Sequence, residues 1–149
     1  MEKKRILVVD DDEAIIRSFK EILESKGYLV EMAKTGLEAL EKSETQRYDL
    51  ALLDIKLPDI EGTELLVEIH EDTPRMMKVM ITGHASLENA VESLNLGADA
   101  YLMKPVRPEE LLRIVEEKLE EQEEAEKMSE EKVAEWIENR IRKLEGRPR

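Results

Sequence analysis

Four apolar runs in this chain each stop on polar residues, and the stops are Asp10-Asp11, Asp54, Thr82 and Lys104. Residues 5–10 form a short β-branched run halted by three aspartates, and residues 49–54 a second halted by one. Both have the pattern of strands buried on two faces. Residues 76–82, ending before Gly83, and 100–104, ending before Pro105, make two more, and residues 28–33 after Gly27 a weaker fifth. An open α/β sheet gathers its ligands outside the carboxyl ends of its strands. Residues far apart in sequence therefore meet if they share that address, and these four groups do.

Helical patterns separate the runs. Residues 13–26 carry Ile15, Ile16, Phe19, Ile22 and Leu23 on one stripe, with Asp12 as N-cap and Gly27 as stop. Leu37 and Leu40 suit a short second helix. Leu65, Leu66 and Ile69 suit a third, ending before Pro74, and Leu87, Val91, Leu94 and Leu96 a fourth, ending at Gly97. Leu111, Leu112, Val115 and Leu119 mark a fifth. Strict alternation of strand and helix implies right-handed crossovers and a parallel sheet covered on both faces. The expected architecture is a doubly wound five-stranded α/β sandwich.

Composition narrows the function classes. The 149 residues leave room for one ordinary domain and a small appendage, so a further full-sized effector domain within them is not expected. There is no cysteine, hence no disulfide framework or thiolate metal site. No apolar run has the length of a membrane span or the layout of a signal peptide, so a cytoplasmic protein is expected. The formal charge of −13 opposes unspecific attraction to nucleic acid and favours basic partner surfaces.

Three carboxylates brought to one crevice repel one another unless a cation or protons neutralise them. A hard divalent cation suits Asp10, Asp11 and Asp54, because Mg2+ takes one or two carboxylates together with phosphoryl oxygens and keeps several waters. Asp54 then becomes a nucleophile for phosphorus, in chemistry that is mostly alignment and charge neutralisation. Lys104 supplies a compact positive charge and Thr82 a hydroxyl donor. Two rival enzymes fit poorly. A haloacid-dehalogenase-type phosphatase needs a second Asp two residues after the nucleophile, where Lys56 stands. A flavodoxin-type protein needs a polar or glycine-rich phosphate cradle after the first strand, where Asp10-Asp11-Asp12 stands.

Val8-Val9-Asp10-Asp11, Asp54 followed by Leu57-Pro58 and Gly62, Thr82-Gly83 and Lys104-Pro105 stand in an order and spacing that resembles the receiver domain of two-component response regulators. The resemblance covers about residues 4–120. It implies a CheY-like, flavodoxin-like sheet of order 2-1-3-4-5 and phosphorylation of Asp54 by a sensor histidine kinase or phosphotransfer protein. It further implies Mg2+, with Mn2+ as a substitute, held by Asp11, Asp54 and the main-chain carbonyl of Lys56, with Asp10 acting through a water. Thr82 and Lys104 would pair with the phosphoryl group, Tyr101 would turn inward as a switch, and Lys104-Pro105 would be cis. The aromatic usual two places after the lysine is Val106 here. A receiver that binds partners without phosphorylation is the alternative, yet none of the acceptor, lysine or acidic positions is lost. A second alternative is the N-terminal fragment of a longer regulator.

His84 reads as a solvated loop residue, and Met76, Met77 and Met80 as strand packing. Past residue 120 the pattern changes. Residues 121–149 are expected as an acidic linker or solvated helix extension followed by an amphipathic helix, with nine glutamates between 116 and 131 and an apolar stripe of Val133, Trp136, Ile137, Ile141 and Leu144 over 129–144. That stripe is expected either to pack back on the receiver or to join a partner. A homodimer through it, or through the face of the fourth helix, fifth strand and fifth helix, is one such arrangement. The basic end, residues 140–149, is too short and too weakly charged to argue for direct DNA binding.

Overall fold

The computed structural model describes residues 3–70 and 75–146. Five strands, β1 (Arg5–Val9), β2 (Leu29–Ala33), β3 (Leu50–Asp54), β4 (Met77–Thr82) and β5 (Ala100–Met103), alternate with α1 (Glu13–Glu24), α2 (Gly36–Thr45), α3 (Gly62–Glu68), α4 (Leu87–Asn95) and α5 (Pro108–Leu144). All pairings are parallel, in the order β2-β1-β3-β4-β5. This is the doubly wound sheet the alternation implied.

Alternate residues of the central strands feed two cores, as the two-residue period of a strand requires. Ile6, Val8, Leu50 and Leu52 face α1 and α5, where Ile16, Phe19, Leu23, Leu111, Val115 and Leu119 complete one cluster. Leu7, Val9, Ala51 and Leu53 face the other way, against Ala39 of α2 and Leu65 and Leu66 of α3. Met76, Met77 and Met80 are buried in these layers, so they are packing residues. Asp12 caps α1 as expected, its carboxylate accepting from the N–H groups of Ala14 at 2.9 Å and Ile15 at 3.3 Å. Gly27 and Gly97 both have positive φ, which explains why the chain turns there after α1 and α4.

One expectation needs correction and an open one is decided. The third helix ends at Glu68, because Ile69 has extended backbone and its N–H closes the last turn onto Leu65; the expected stop at Pro74 lies outside the described residues. More consequentially, of the two readings of the glutamate-rich stretch the helix extension holds, and no linker interrupts the described C-terminal region. α5 runs unbroken from Pro108 to Leu144, across residues 120 and 129. No Gly or Pro falls between Pro108 and Gly146, and the glutamate-rich stretch is made of strong helix formers. Nor does the apolar stripe pack back on the sheet, since Val133, Trp136, Ile137, Ile141 and Leu144 are all exposed. Residues 147–149 of the basic end lie outside the described residues.

Within the glutamate-rich segment, the polar residue Gln122 has a structural role. Gln122 is buried, and its amide Nε2 donates to the carbonyls of Asp49 at 3.1 Å and Arg75 at 2.9 Å, at the amino ends of β3 and β4. It fastens α5 to the base of the sheet. Replacing it with alanine leaves two carbonyls without this donor, and the expected loss is about 1–3 kcal/mol of unfolding free energy, read from the denaturant midpoint.

Candidate functional site

The strand order reverses between β1 and β3, and there the carboxyl ends of the strands open a crevice. Val9 pairs with Leu53, so Asp10 follows directly beside Asp54, the last residue of β3. Asp54 pairs with Ile81 and places Thr82 at the end of the next strand, while Lys104 follows β5 one strand further out. Asp10 is 3% exposed, Asp54 5% and Thr82 0%, whereas Asp11 is open to solvent.

Lys104 crosses the gap. Its Nζ lies 2.6 Å from Asp10 Oδ2 and 3.3 Å from Asp54 Oδ2. Burial pulls the ammonium towards neutrality, but the Asp10 hydrogen bond and the charges of both carboxylates more than offset it, and the Lys104 pKa is raised. Asp54 is also raised, first by burial and then by the charge of Asp10; Lys104 and the Lys56 N–H act in the opposite direction. One carboxylate oxygen from each of Asp10, Asp11 and Asp54 lies within 4.8 Å of the others. Three carboxylates against one ammonium leave the crevice negative. An oxygen-only donor set of this compactness fits a small hard cation.

The loop after Asp54 is held down at several points. Lys56 N–H donates to Asp54 Oδ1 at 3.3 Å, and Gly62 N–H to the carbonyl of Ile55 at 2.6 Å. A Cβ on Gly62 would fall 2.1 Å from the Asp54 carbonyl oxygen, so only glycine permits this approach. Sequence reasoning missed Asp59, whose carboxylate accepts from the N–H groups of Gly36 and Leu37, each at 2.8 Å, at the start of α2. Those bonds lower its pKa. An aspartate directly after Pro58 was the available signal, but its partners lie 22 residues or more away in sequence.

Thr82 Oγ1 accepts from His84 N–H at 2.9 Å, which fixes the hydroxyl at the strand end. Tyr101 is half-buried in β5 and packs on the cluster containing Leu65 and Met80; its hydroxyl is buried without a protein hydrogen-bond partner among the described residues. The Lys104–Pro105 peptide is cis. Val106, in place of the usual aromatic, packs against the α1/α5 core.

A parallel sheet in this order, with three acidic residues and a lysine at its switch point, defines a CheY-like fold with an acidic crevice. The chain belongs to the response regulator receiver domain family, whose model matches residues 6–116. Among curated relatives, the alginate biosynthesis transcriptional regulatory protein AlgB of Pseudomonas putida is 37% identical over 107 residues, which is 72% of this chain and 24% of that protein. The alkaline phosphatase synthesis transcriptional regulatory protein PhoP of Bacillus subtilis is 40% identical over 108 residues, 72% of this chain and 45% of that protein. The chain thus spans between about a quarter and a half of these relatives. Among solved structures, a CheY-like receiver domain protein from Methanospirillum hungatei JF-1 aligns with TM-score 0.80 and 60% identity, covering 83% of this chain and 99% of that one. The beryllofluoride-activated NtrC4 receiver domain dimer aligns with TM-score 0.74 and 37% identity, covering 79% and 98%. No helix among the described residues is long and apolar enough to cross a membrane.

The charge balance predicts a stability signature. Because Asp54 is raised, its proton favours the folded chain at low pH, and that contribution is lost as pH rises through the raised value. Ionised Asp54 therefore costs stability at neutral pH. In chelator, Asp54→Asn, which keeps an acceptor for Lys56 N–H, is expected to raise the melting temperature by a few degrees. Adding Mg2+ is expected to stabilise the parent by about 1.4 kcal/mol at ten times its dissociation constant, and Asp11→Asn to abolish that response. Thermal scans with and without Mg2+ check both.

Proposed function

We propose that this receiver is phosphorylated on Asp54 by a phosphohistidine of a sensor histidine kinase or phosphotransfer protein. The observation that carries the reading is Lys104 spanning Asp10 and Asp54 inside a three-carboxylate crevice. Asp11, Asp54 and the Lys56 carbonyl would hold Mg2+ or Mn2+, with Asp10 acting through a water. The cation would supply neutralisation of charge on the phosphoryl oxygens. An Asp54 carboxylate oxygen forms the bond to phosphorus as the phosphorus–nitrogen bond breaks, its electron pair leaving with the imidazole.

The remaining residues read the product. Lys104 exchanges part of its carboxylate pairing for the phosphoryl oxygens, and the Thr82 hydroxyl proton is free to donate while its oxygen accepts from His84. Tyr101, beside Met80 in the β4–β5 register, is the switch aromatic: its inward ring position supports a two-state readout at β5 that phosphorylation biases. A kinase of this class as partner would place the protein in the cytoplasm. The curated relatives, named as transcriptional regulatory proteins, extend well beyond the matched region, and which output this receiver serves depends on its partner.

Intact mass is the direct test. Incubation with a small-molecule phosphodonor and Mg2+ is expected to add one phosphoryl group, stable in acid and labile in base. Chelator or Asp54→Asn should leave the mass unchanged. An unlabelled parent, under conditions that label another receiver, would point instead to a phosphorylation-independent interaction module.

A further inference from the structure

We propose that the exposed end of α5 is a self-association surface, and that it pairs two copies of this chain in antiparallel orientation. The inference is independent of the chemistry at Asp54. At about 100° per residue, Val133, Trp136, Ile137, Arg140, Ile141 and Leu144 lie within an arc of roughly 140°. On the same count, Leu111, Val115, Leu119 and Gln122 fall in that arc as well. The exposed stripe is thus the continuation of the face that α5 buries against its own sheet.

The structure bears out the phase. Below the sheet a groove runs between Met77 and Asp99 on one wall and Gln122, Glu126, Ser129 and Glu130 on the other. The helix therefore leaves the receiver with its inner face still turned towards the space under the strands, and Val133 is the next large residue on it. From residue 123 to 144 the helix reaches about 33 Å past its last buried side chain at ~1.5 Å per residue. Trp136 is 64% exposed and Leu144 82%. Apolar surface of this kind, gathered on one side of a projecting helix, is a surface for association.

Phase also decides the orientation. In a parallel pair the partner helix would continue along the inner face of α5 through residues 122 to 111, which is where the receiver's own strands sit and where Leu111, Val115 and Leu119 are buried. A helix without an internal Gly or Pro offers no kink to avoid that collision. In an antiparallel pair the partner's receiver lies beyond the far end, and only the projecting segments overlap. A register with Val133 opposite Leu144, Trp136 opposite Ile141 and Ile137 opposite Arg140 overlaps over about 18 Å.

Charge supports a second copy as the occupant. Residues 129–136 carry Glu130, Glu131 and Glu135 against Lys132, a net acidic half, and residues 137–144 carry Arg140, Arg142 and Lys143 against Glu138, a net basic half. An inverted copy sets acidic against basic at both ends, whereas a parallel copy sets like against like. The cation within the stripe is accommodated locally, since the Arg140 guanidinium lies 5.8 Å from the centre of the Trp136 ring.

The chain has no cysteine, so introduced thiols report orientation without background. Val133→Cys and Leu144→Cys are prepared as separate full-length proteins, with Glu135→Cys on the outer face as the collision baseline. Under mild oxidation the mixture of the first two is expected to yield the mixed disulfide several-fold above either protein alone and above the baseline. Sedimentation of the parent should show reversible dimer at concentrations on the order of tens of micromolar and above. Trp136→Glu should be monomeric, and well below the parent's dimer dissociation constant its melting temperature should equal the parent's, because Trp136 is exposed. Like-with-like disulfides in the single variants would overturn the antiparallel arrangement, and a monomeric parent with baseline crosslinking would overturn self-association, leaving the stripe to a different protein.

Discussion

The ammonium of Lys104 is the interaction around which the site is arranged. Two buried carboxylates, Asp10 and Asp54, stand side by side on adjacent strands, and without a cation between them the end of the sheet would be unfavourable to fold. Lys104 comes from β5, two strands from Asp54, and reaches both. Its position ties the edge of the sheet to its centre. The same pairing leaves Asp11, exposed at the mouth, as the carboxylate with no share in the lysine among the described residues. The crevice is thus balanced closely enough to fold and still negative enough to attract a further cation.

That balance requires the backbone around Asp54 to stay where it is. The loop from Ile55 to Glu61 is exposed in part, yet it is pinned at three places: Lys56 N–H on the Asp54 carboxylate, Asp59 on the start of α2, and Gly62 against the Asp54 carbonyl. Gly36 shows how little slack remains, since a Cβ there would fall 2.3 Å from Ile60 Cγ1. Asp59 adds favourable electrostatics, because a carboxylate at a helix N-terminus meets free N–H groups and the positive end of the helix dipole.

What was legible in the sequence follows from which constraints are local. Strand ends at Asp10, Asp54, Thr82 and Lys104 could be placed because apolar runs stop abruptly, and alternation with helices fixes parallel pairing. The Asp12 cap and the Gly27 turn are likewise decided by neighbours in sequence. Asp59 and Gln122 were illegible for the opposite reason. Each acts on backbone groups more than 20 residues away, and nothing in the composition of a loop or a glutamate-rich stretch marks such a partner. The continuity of α5 was left open in the sequence because a polar, glutamate-rich stretch suits a linker as well as a solvated helix extension. A stretch of strong helix formers persists as helix when it continues an anchored helix and contains no breaker.

α5 then acquires a geometry that neither of its halves has alone. It begins just after the Lys104–Pro105 peptide at the carboxyl ends of the strands, and Gln122 fastens it to Asp49 and Arg75 at their amino ends. Between those two points Leu111, Val115 and Leu119 hold it against the sheet. A helix fixed at its start and again at Gln122 has its axis set over that stretch, so the direction in which residues 123–144 project is set by packing inside the receiver. Because the helical phase carries through without interruption, the surface offered by Val133, Trp136 and Ile137 is determined by the same residues that form the core. The acidic crevice and the exposed stripe are at opposite ends of the molecule, and one rigid helix spans the distance between them.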